Sequence, residues 1–128
     1  MLRVLVVDDS PVMRRMLTKS LEMAELPIQT IYEAGDGQTA LDVLANNWID
    51  LVLCDINMPQ MNGVELMEHI SRSAAMGLVP VIMVTTETSE PRLDYLKKLG
   101  VRACLAKPFR PEALGETVRQ ILHLESEA

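Results

Sequence analysis

Three short runs in this chain, Val4–Val7, Leu51–Cys54 and Val81–Val84, are almost wholly apolar, with no polar residue alternating along them. A strand with one wet face alternates. A strand covered on both faces does not, and such strands belong to parallel sheets sandwiched between helices. Two further Val/Ile/Leu-rich runs, Ile28–Tyr32 and Ala103–Ala106, complete a set of five. Between and after them lie five segments with helical spacing. In the first, Met13, Met16, Leu17, Ser20, Leu21 and Ala24 fall on one face, with Arg14, Arg15, Lys19 and Glu22 off it. The others are marked by Ala40, Leu41, Leu44 and Ala45; by Leu66, Met67 and Ile70; less cleanly by Leu93, Leu96 and Leu99; and by Leu114, Val118, Ile121 and Leu122.

The helix boundaries carry matching punctuation. Ser10-Pro11 and Arg110-Pro111 put proline at a first helical position, Asn62-Gly63-Val64-Glu65 reads as a capping box, and Gly100 suits a C-cap after Lys97-Lys98. The order is βαβαβαβαβα, with every connection long enough for a crossover, which predicts an α/β, doubly wound, five-stranded parallel sheet. Within these 128 residues no second domain is expected. We expect one domain over residues 1–124 and a short acidic tail over 125–128.

Composition narrows the function classes. Twelve basic against 18 acidic side chains give a net charge of -6, which argues against nucleic acid or an anionic membrane as the main partner. No apolar run approaches the roughly 18 residues of a membrane span, and no signal peptide precedes the first strand. Cys54 and Cys104 lack paired C-x-x-C spacing and fit a reducing compartment, so a cytoplasmic location is expected. With only Tyr32, Trp48, Tyr95 and Phe109 as aromatics, a planar cofactor held between rings is not expected.

Residues able to do chemistry recur just past the C-terminal ends of the strands: Asp8 and Asp9, Asp55, Thr85 and Lys107. In an open α/β sheet that edge is where ligands bind. Singly, each has a plain structural reading. Asp8-Asp9 could cap a helix, although Ser10 already occupies the capping position; Asp55 could be a loop residue, Thr85 a strand-end hydroxyl, and Lys107 a turn lysine. Together they make a constellation. Three carboxylates within roughly 5 Å repel by about 3 kcal/mol per ionised pair at an effective dielectric near 20. Lys107 supplies one compensating charge, and the remainder calls for a hard divalent cation, for which Mg²⁺ is the usual solution. Such a site suits a phosphoryl group, with Lys107 and the cation neutralising its oxygens, Thr85 donating a hydrogen bond and Asp55 attacking in line.

The stretches Val4-Leu5-Val6-Val7-Asp8-Asp9-Ser10 and Cys54-Asp55-Ile56-Asn57-Met58-Pro59-Gln60-Met61-Asn62-Gly63, the pair Thr85-Thr86 and the triplet Lys107-Pro108-Phe109 resemble the receiver domain of bacterial two-component response regulators, and within that family the free-standing chemotaxis (CheY-like) type. The resemblance implies strand order 2-1-3-4-5. It implies that Asp55 is a phosphoacceptor served by a sensor histidine kinase or phosphotransfer protein. Mg²⁺, replaceable by Mn²⁺, would be held by Asp9, Asp55 and the backbone carbonyl of Asn57, with Asp8 acting through water. Lys107 would pair with the phosphoryl group across a cis Lys107-Pro108 bond, and Thr85 would act as the switch. Asn57 and Glu87 would tune hydrolysis of the acyl phosphate and give a short-lived signal. The output surface would be the fourth helix, fifth strand and fifth helix, including Arg92, Tyr95, Lys98, Cys104 and Thr117, with a downstream target protein as partner and a phosphatase as a further one. The chain would not be a turnover enzyme.

One position departs from the pattern. Receivers usually carry Tyr or Phe three residues before the lysine, where this chain has Cys104, so activation is expected to rest mainly on Thr85 and the Glu87–Ser89 loop, and Cys104→Tyr to leave phosphorylation by acetyl phosphate intact. The 2-1-3-4-5 order puts Cys54 and Cys104 two strands, nearly 10 Å, apart, beyond the reach of a disulfide. Met13, Met16, Met58, Met61 and Met67 are expected mostly in packing, with Pro11, Met13 and the Met58–Met61 loop near the mouth of the site. His69 and His123 read as solvated helix residues. Two other classes fit less well. A haloacid dehalogenase-type phosphatase would need D-x-D after the first strand, and a flavodoxin-like carrier would need a Ser/Thr/Gly-rich phosphate loop where Asp8-Asp9 stands. A receiver cut from a longer regulator with a DNA-binding or enzymatic output domain remains an alternative.

Overall fold

The computed structural model describes residues 1–124; the acidic tail expected at 125–128 lies outside the described residues. The elements are β1 (Leu2–Val7), α1 (Pro11–Met23), β2 (Ile28–Ala34), α2 (Gly37–Asn46), β3 (Leu51–Cys54), α3 (Gly63–Arg72), a short 3-10 turn (Met76–Leu78), β4 (Val81–Thr85), α4 (Glu90–Leu99), β5 (Ala103–Ala106) and α5 (Pro111–Ile121). All strands pair in parallel, in the order β2-β1-β3-β4-β5. No helix among the described residues is long and apolar enough to cross a membrane.

The unalternated strands are covered on both sides, as their composition predicts. Leu5, Val7, Val52, Cys54, Val81 and Met83 face one layer, where Leu66, Met67 and Ile70 of α3 and Leu96 of α4 bury against them. Val4, Val6, Leu51, Leu53, Ile82 and Val84 face the other, closed by Leu17 and Leu21 of α1 and Leu114 and Val118 of α5. β2 is an edge strand, which fits the polar Gln29, Thr30 and Glu33 along it, and it runs two residues beyond the sequence estimate because Glu33 and Ala34 still pair with Val6 and Val7. Likewise Thr85 belongs to β4, paired with Ala106.

The predicted caps are present. Ser10 Oγ accepts from Met13 N at 3.2 Å, Asn62 and Glu65 form a reciprocal capping box, and Gly100 ends α4 at φ 113°. Three local expectations need correction. Met16 is 51% exposed because α1 turns Leu17, Ser20 and Leu21 into the core, and Ala45 is likewise exposed on α2. His123 lies past the end of α5, in a turn at φ 56°; His69 is an exposed residue of the last turn of α3. The Lys107-Pro108 bond is cis.

Candidate phosphoryl and metal site

Because β1 and β3 are neighbours in register, with Val7 opposite Cys54, their next residues emerge side by side. Asp55 N donates to Val7 O at 2.9 Å and Asp8 N to Ala34 O at 3.1 Å, so the backbone ladder carries the acids to a common edge. One carboxylate oxygen from each of Asp8, Asp9 and Asp55 lies within 4.8 Å of the others. Asp8 and Asp55 are buried and Asp9 is exposed.

Lys107 arrives from the end of β5, its N–H bonded to Thr85 O at 2.9 Å. Its ammonium reaches Asp8 Oδ2 at 2.7 Å and Asp55 Oδ2 at 3.4 Å. Asp8 Oδ1 accepts from Ser10 N at 2.9 Å, and Asp55 Oδ1 from Asn57 N at 3.4 Å. Both oxygens of Asp8 are therefore engaged within the chain, whereas the Asp9 carboxylate accepts no hydrogen bond among the described residues. One ammonium against three carboxylates leaves a charge deficit that a divalent cation fits, and Asp9 offers the open ligand.

Thr85 reaches the same edge from β4. Its buried hydroxyl accepts from Glu87 N at 3.2 Å. Glu87 in turn accepts from Ser89 N at 3.0 Å and from Arg92 Nη1 at 3.1 Å. The Ser89 N–H, and after it the Arg92 guanidinium, hold the Glu87 carboxyl below its ordinary range. Two residues expected in separate roles, Glu87 beside the site and Arg92 on the output face, are thus one ion pair joining the β4–α4 loop to the first turn of α4.

Tyr95, expected on the α4-β5-α5 face, is 41% exposed on α4. Tyr95 donates its hydroxyl to Glu68 Oε2 on α3 at 2.6 Å, so it sits at the α3/α4 seam. The charge of Lys97 acts on Cys104, and Lys98, expected on the output face, is exposed. Thr117 donates to Ala113 O within α5 at 2.8 Å.

Sequence reasoning also missed two glycines. A Cβ on Gly63 would stand 2.7 Å from Ile56 Cα and closer still to the Asp55 carbonyl, so only glycine lets α3 begin against the backbone of the loop after β3. At Gly37 a Cβ would collide with Met61, which lies across the start of α2. In both cases the signal is a glycine at a helix's first position, readable only once its neighbour is known. An apolar groove of about 360 Å³, lined by Leu44, Trp48, Ile49, Met76, Leu78 and Val79, precedes β3 and β4 and so opens at the opposite edge from the acids.

Both cysteines are free, with β4 between their strands. Burial, and next the charges of Asp55 and Asp8, push the Cys54 thiol well up, and burial raises Cys104 more mildly against the pull of Lys97. Ellman-type titration is expected to find one slowly reacting thiol, Cys104, in the native chain and two in denaturant without reductant. Fast labelling of Cys54 would contradict its burial.

Residues 4–119 match the family described as the response regulator receiver domain. Over 122 residues the chain is 36% identical to a chemotaxis protein CheY homolog of Campylobacter jejuni, covering 94% of this chain and 92% of that one. It is 34% identical over 122 residues to the chemotaxis protein CheY1 of Helicobacter pylori, covering 94% and 97%. Among solved structures, the Vibrio cholerae chemotaxis protein CheY4 shares the fold at a TM-score of 0.83 and 35% identity, covering 95% of this chain and 99% of that one. The likeness runs from β1 into α5 in sequence as well as in shape, and the chain belongs to the response regulator receiver domain family, in its CheY type.

Proposed function

We propose that residues 1–124 form a receiver whose Asp55 carboxylate takes a phosphoryl group from the phosphohistidine of a sensor kinase or phosphotransfer protein. An Asp55 oxygen attacks phosphorus as the N–P bond breaks, and the departing imidazole retains the electron pair and takes up a proton. Lys107 follows the charge onto the phosphoryl oxygens, and Thr85 exchanges its bond from Glu87 N for one donated to the new group. Asp9, Asp55 and the Asn57 carbonyl, with Asp8 through water, would hold Mg²⁺, or Mn²⁺ in its place, which when bound neutralises developing charge on phosphorus. Water then cleaves the acyl phosphate, returning Asp55 and inorganic phosphate. Asn57 and Glu87 flank its approach.

The observation that carries this reading is the Lys107 ammonium set between Asp8 and Asp55, with the Asp9 carboxylate beside them left open. The output is binding of a downstream protein through α4, β5 and α5, where Arg92, Tyr95, Lys98, Cys104 and Thr117 lie, and a phosphatase is a further partner. Incubation with acetyl phosphate and Mg²⁺, followed by intact-mass measurement, is expected to add one phosphoryl group per chain. The group should be lost within minutes after donor removal and never appear in excess chelator. An increment that persists for hours, or that forms without metal, would overturn the proposal.

A further inference from the structure

We infer that Arg14 is a positioning residue for the metal site: its guanidinium ties the Asp8–Asp9 peptide to the end of β2 and so aims the Asp9 carboxylate. This rests on the reading of Asp8, Asp9 and Asp55 as a cation site. Arg14 stands on the first turns of α1, with its side chain only 18% exposed. Nη1 donates to the Asp8 carbonyl oxygen at 2.6 Å, while Nε donates to Glu33 Oε1 at 2.9 Å. Asp8 N, one residue past β1, still reaches Ala34 O at the end of β2, and the Asp8 carbonyl is taken up by Arg14 instead of by the sheet. A Cβ on Gly35 would stand 3.4 Å from Nη1, in ordinary contact, so the guanidinium passes directly over this residue.

The Asp8 carbonyl and the Asp9 N–H belong to one planar peptide. Fixing that oxygen fixes the plane from which Asp9 departs, and the exposed Asp9 side chain has no hydrogen bond of its own among the described residues to orient it. A planar fork with two donors can hold two acceptors at once; an ammonium on a flexible stem holds them less rigidly. Groups that orient metal ligands without touching the metal typically contribute about 10–100-fold in affinity.

Charge and positioning predict opposite signs, which makes the idea testable. Removing a cation beside an acidic cluster should tighten metal binding if Arg14 acts only through its charge. If it positions Asp9, binding should weaken. Mn²⁺ alone is titrated calorimetrically into metal-stripped wild type, Arg14→Met, Arg14→Lys, Glu33→Gln and, as controls, Asp9→Asn and Asp55→Asn, with urea midpoints in chelator reporting the fold. We expect Arg14→Met to bind Mn²⁺ about 10-fold more weakly, Arg14→Lys to recover part of that loss, and Glu33→Gln to show a smaller one. Mn²⁺ binding by Arg14→Met as tight as wild type or tighter would overturn the proposal while leaving the metal site standing. Wild type without saturable binding, or control variants that bind like wild type, would overturn both. Should Arg14→Met not fold, Arg14→Lys decides, because it keeps the charge: Mn²⁺ binding weaker than wild type supports positioning, and binding equal to wild type overturns it.

Discussion

Asp55→Asn is expected to take up no phosphoryl group from acetyl phosphate or from a phosphohistidine donor, under conditions that modify every wild-type chain. The amide keeps the shape of the carboxylate and leaves an oxygen to accept from Asn57 N, but it removes the nucleophile. The neighbouring acids are poor substitutes. Both oxygens of Asp8 are held by Ser10 N and Lys107, and Asp9 stands at the exposed end of the cluster without the ammonium that would follow charge onto phosphorus. The loss should not reflect unfolding. Neutralising Asp55 relieves repulsions of about 3 kcal/mol each at an effective dielectric near 20, and forfeits an attraction to Lys107 of about 5 kcal/mol on the same scale. With Asp9 exposed and screened, these opposing effects should leave stability within about 2 kcal/mol of wild type. Intact-mass measurement beside a urea titration checks both statements. A phosphoryl increment of wild-type size on the variant would move the acceptor to another residue.

Lys107→Met should produce the largest change in stability. The Lys107 side chain is 12% exposed, and its ammonium contacts two carboxylates that are themselves 2% and 10% exposed at the side chain. A thioether of similar length preserves packing and leaves Asp8 and Asp55 as like charges without a cation. Removing one partner of a buried pair typically costs about 3–5 kcal/mol, a large share of the roughly 5–15 kcal/mol that holds a domain folded. In chelator the urea midpoint should therefore fall steeply. Saturating Mg²⁺ should restore much of it, because a ligand that binds only the folded state stabilises by mass action. Equal midpoints for wild type and variant in chelator would show that the ammonium does not hold the acids together. A fall that Mg²⁺ does not reverse would place its role in packing.

Most of the architecture was legible before any coordinates. Unalternated runs announce strands buried on both faces, proline, asparagine and glycine mark helix ends, and the positions just past those strands nominate Asp8, Asp9, Asp55, Thr85 and Lys107. These are readings of local period and chain order, which the backbone obeys strictly: a residue following a strand must leave at that strand's end. The sequence could also predict that three acids need a counter-charge, since Coulomb repulsion depends only on their being near one another.

Which helix face turns inward, and where a long side chain ends, were decided by tertiary structure. Met16 fits the apolar stripe of α1 as well as Leu17 does, but the helix rotates to seat Leu17 and Leu21 and leaves Met16 in water. Arg14 reads as an off-face basic residue until β2 brings Glu33 and the Asp8 carbonyl within reach of its guanidinium. Nothing in the sequence announces that Tyr95 meets Glu68 on α3, and Glu87 and Arg92 become a pair only when the loop folds back on α4. Chain order alone thus determined that the sheet is parallel and at which edge the acids emerge, while the strand order followed from the family resemblance. The helix rotations and the pairing of mobile charged ends came from packing and from distances between residues far apart in sequence, which no periodicity encodes.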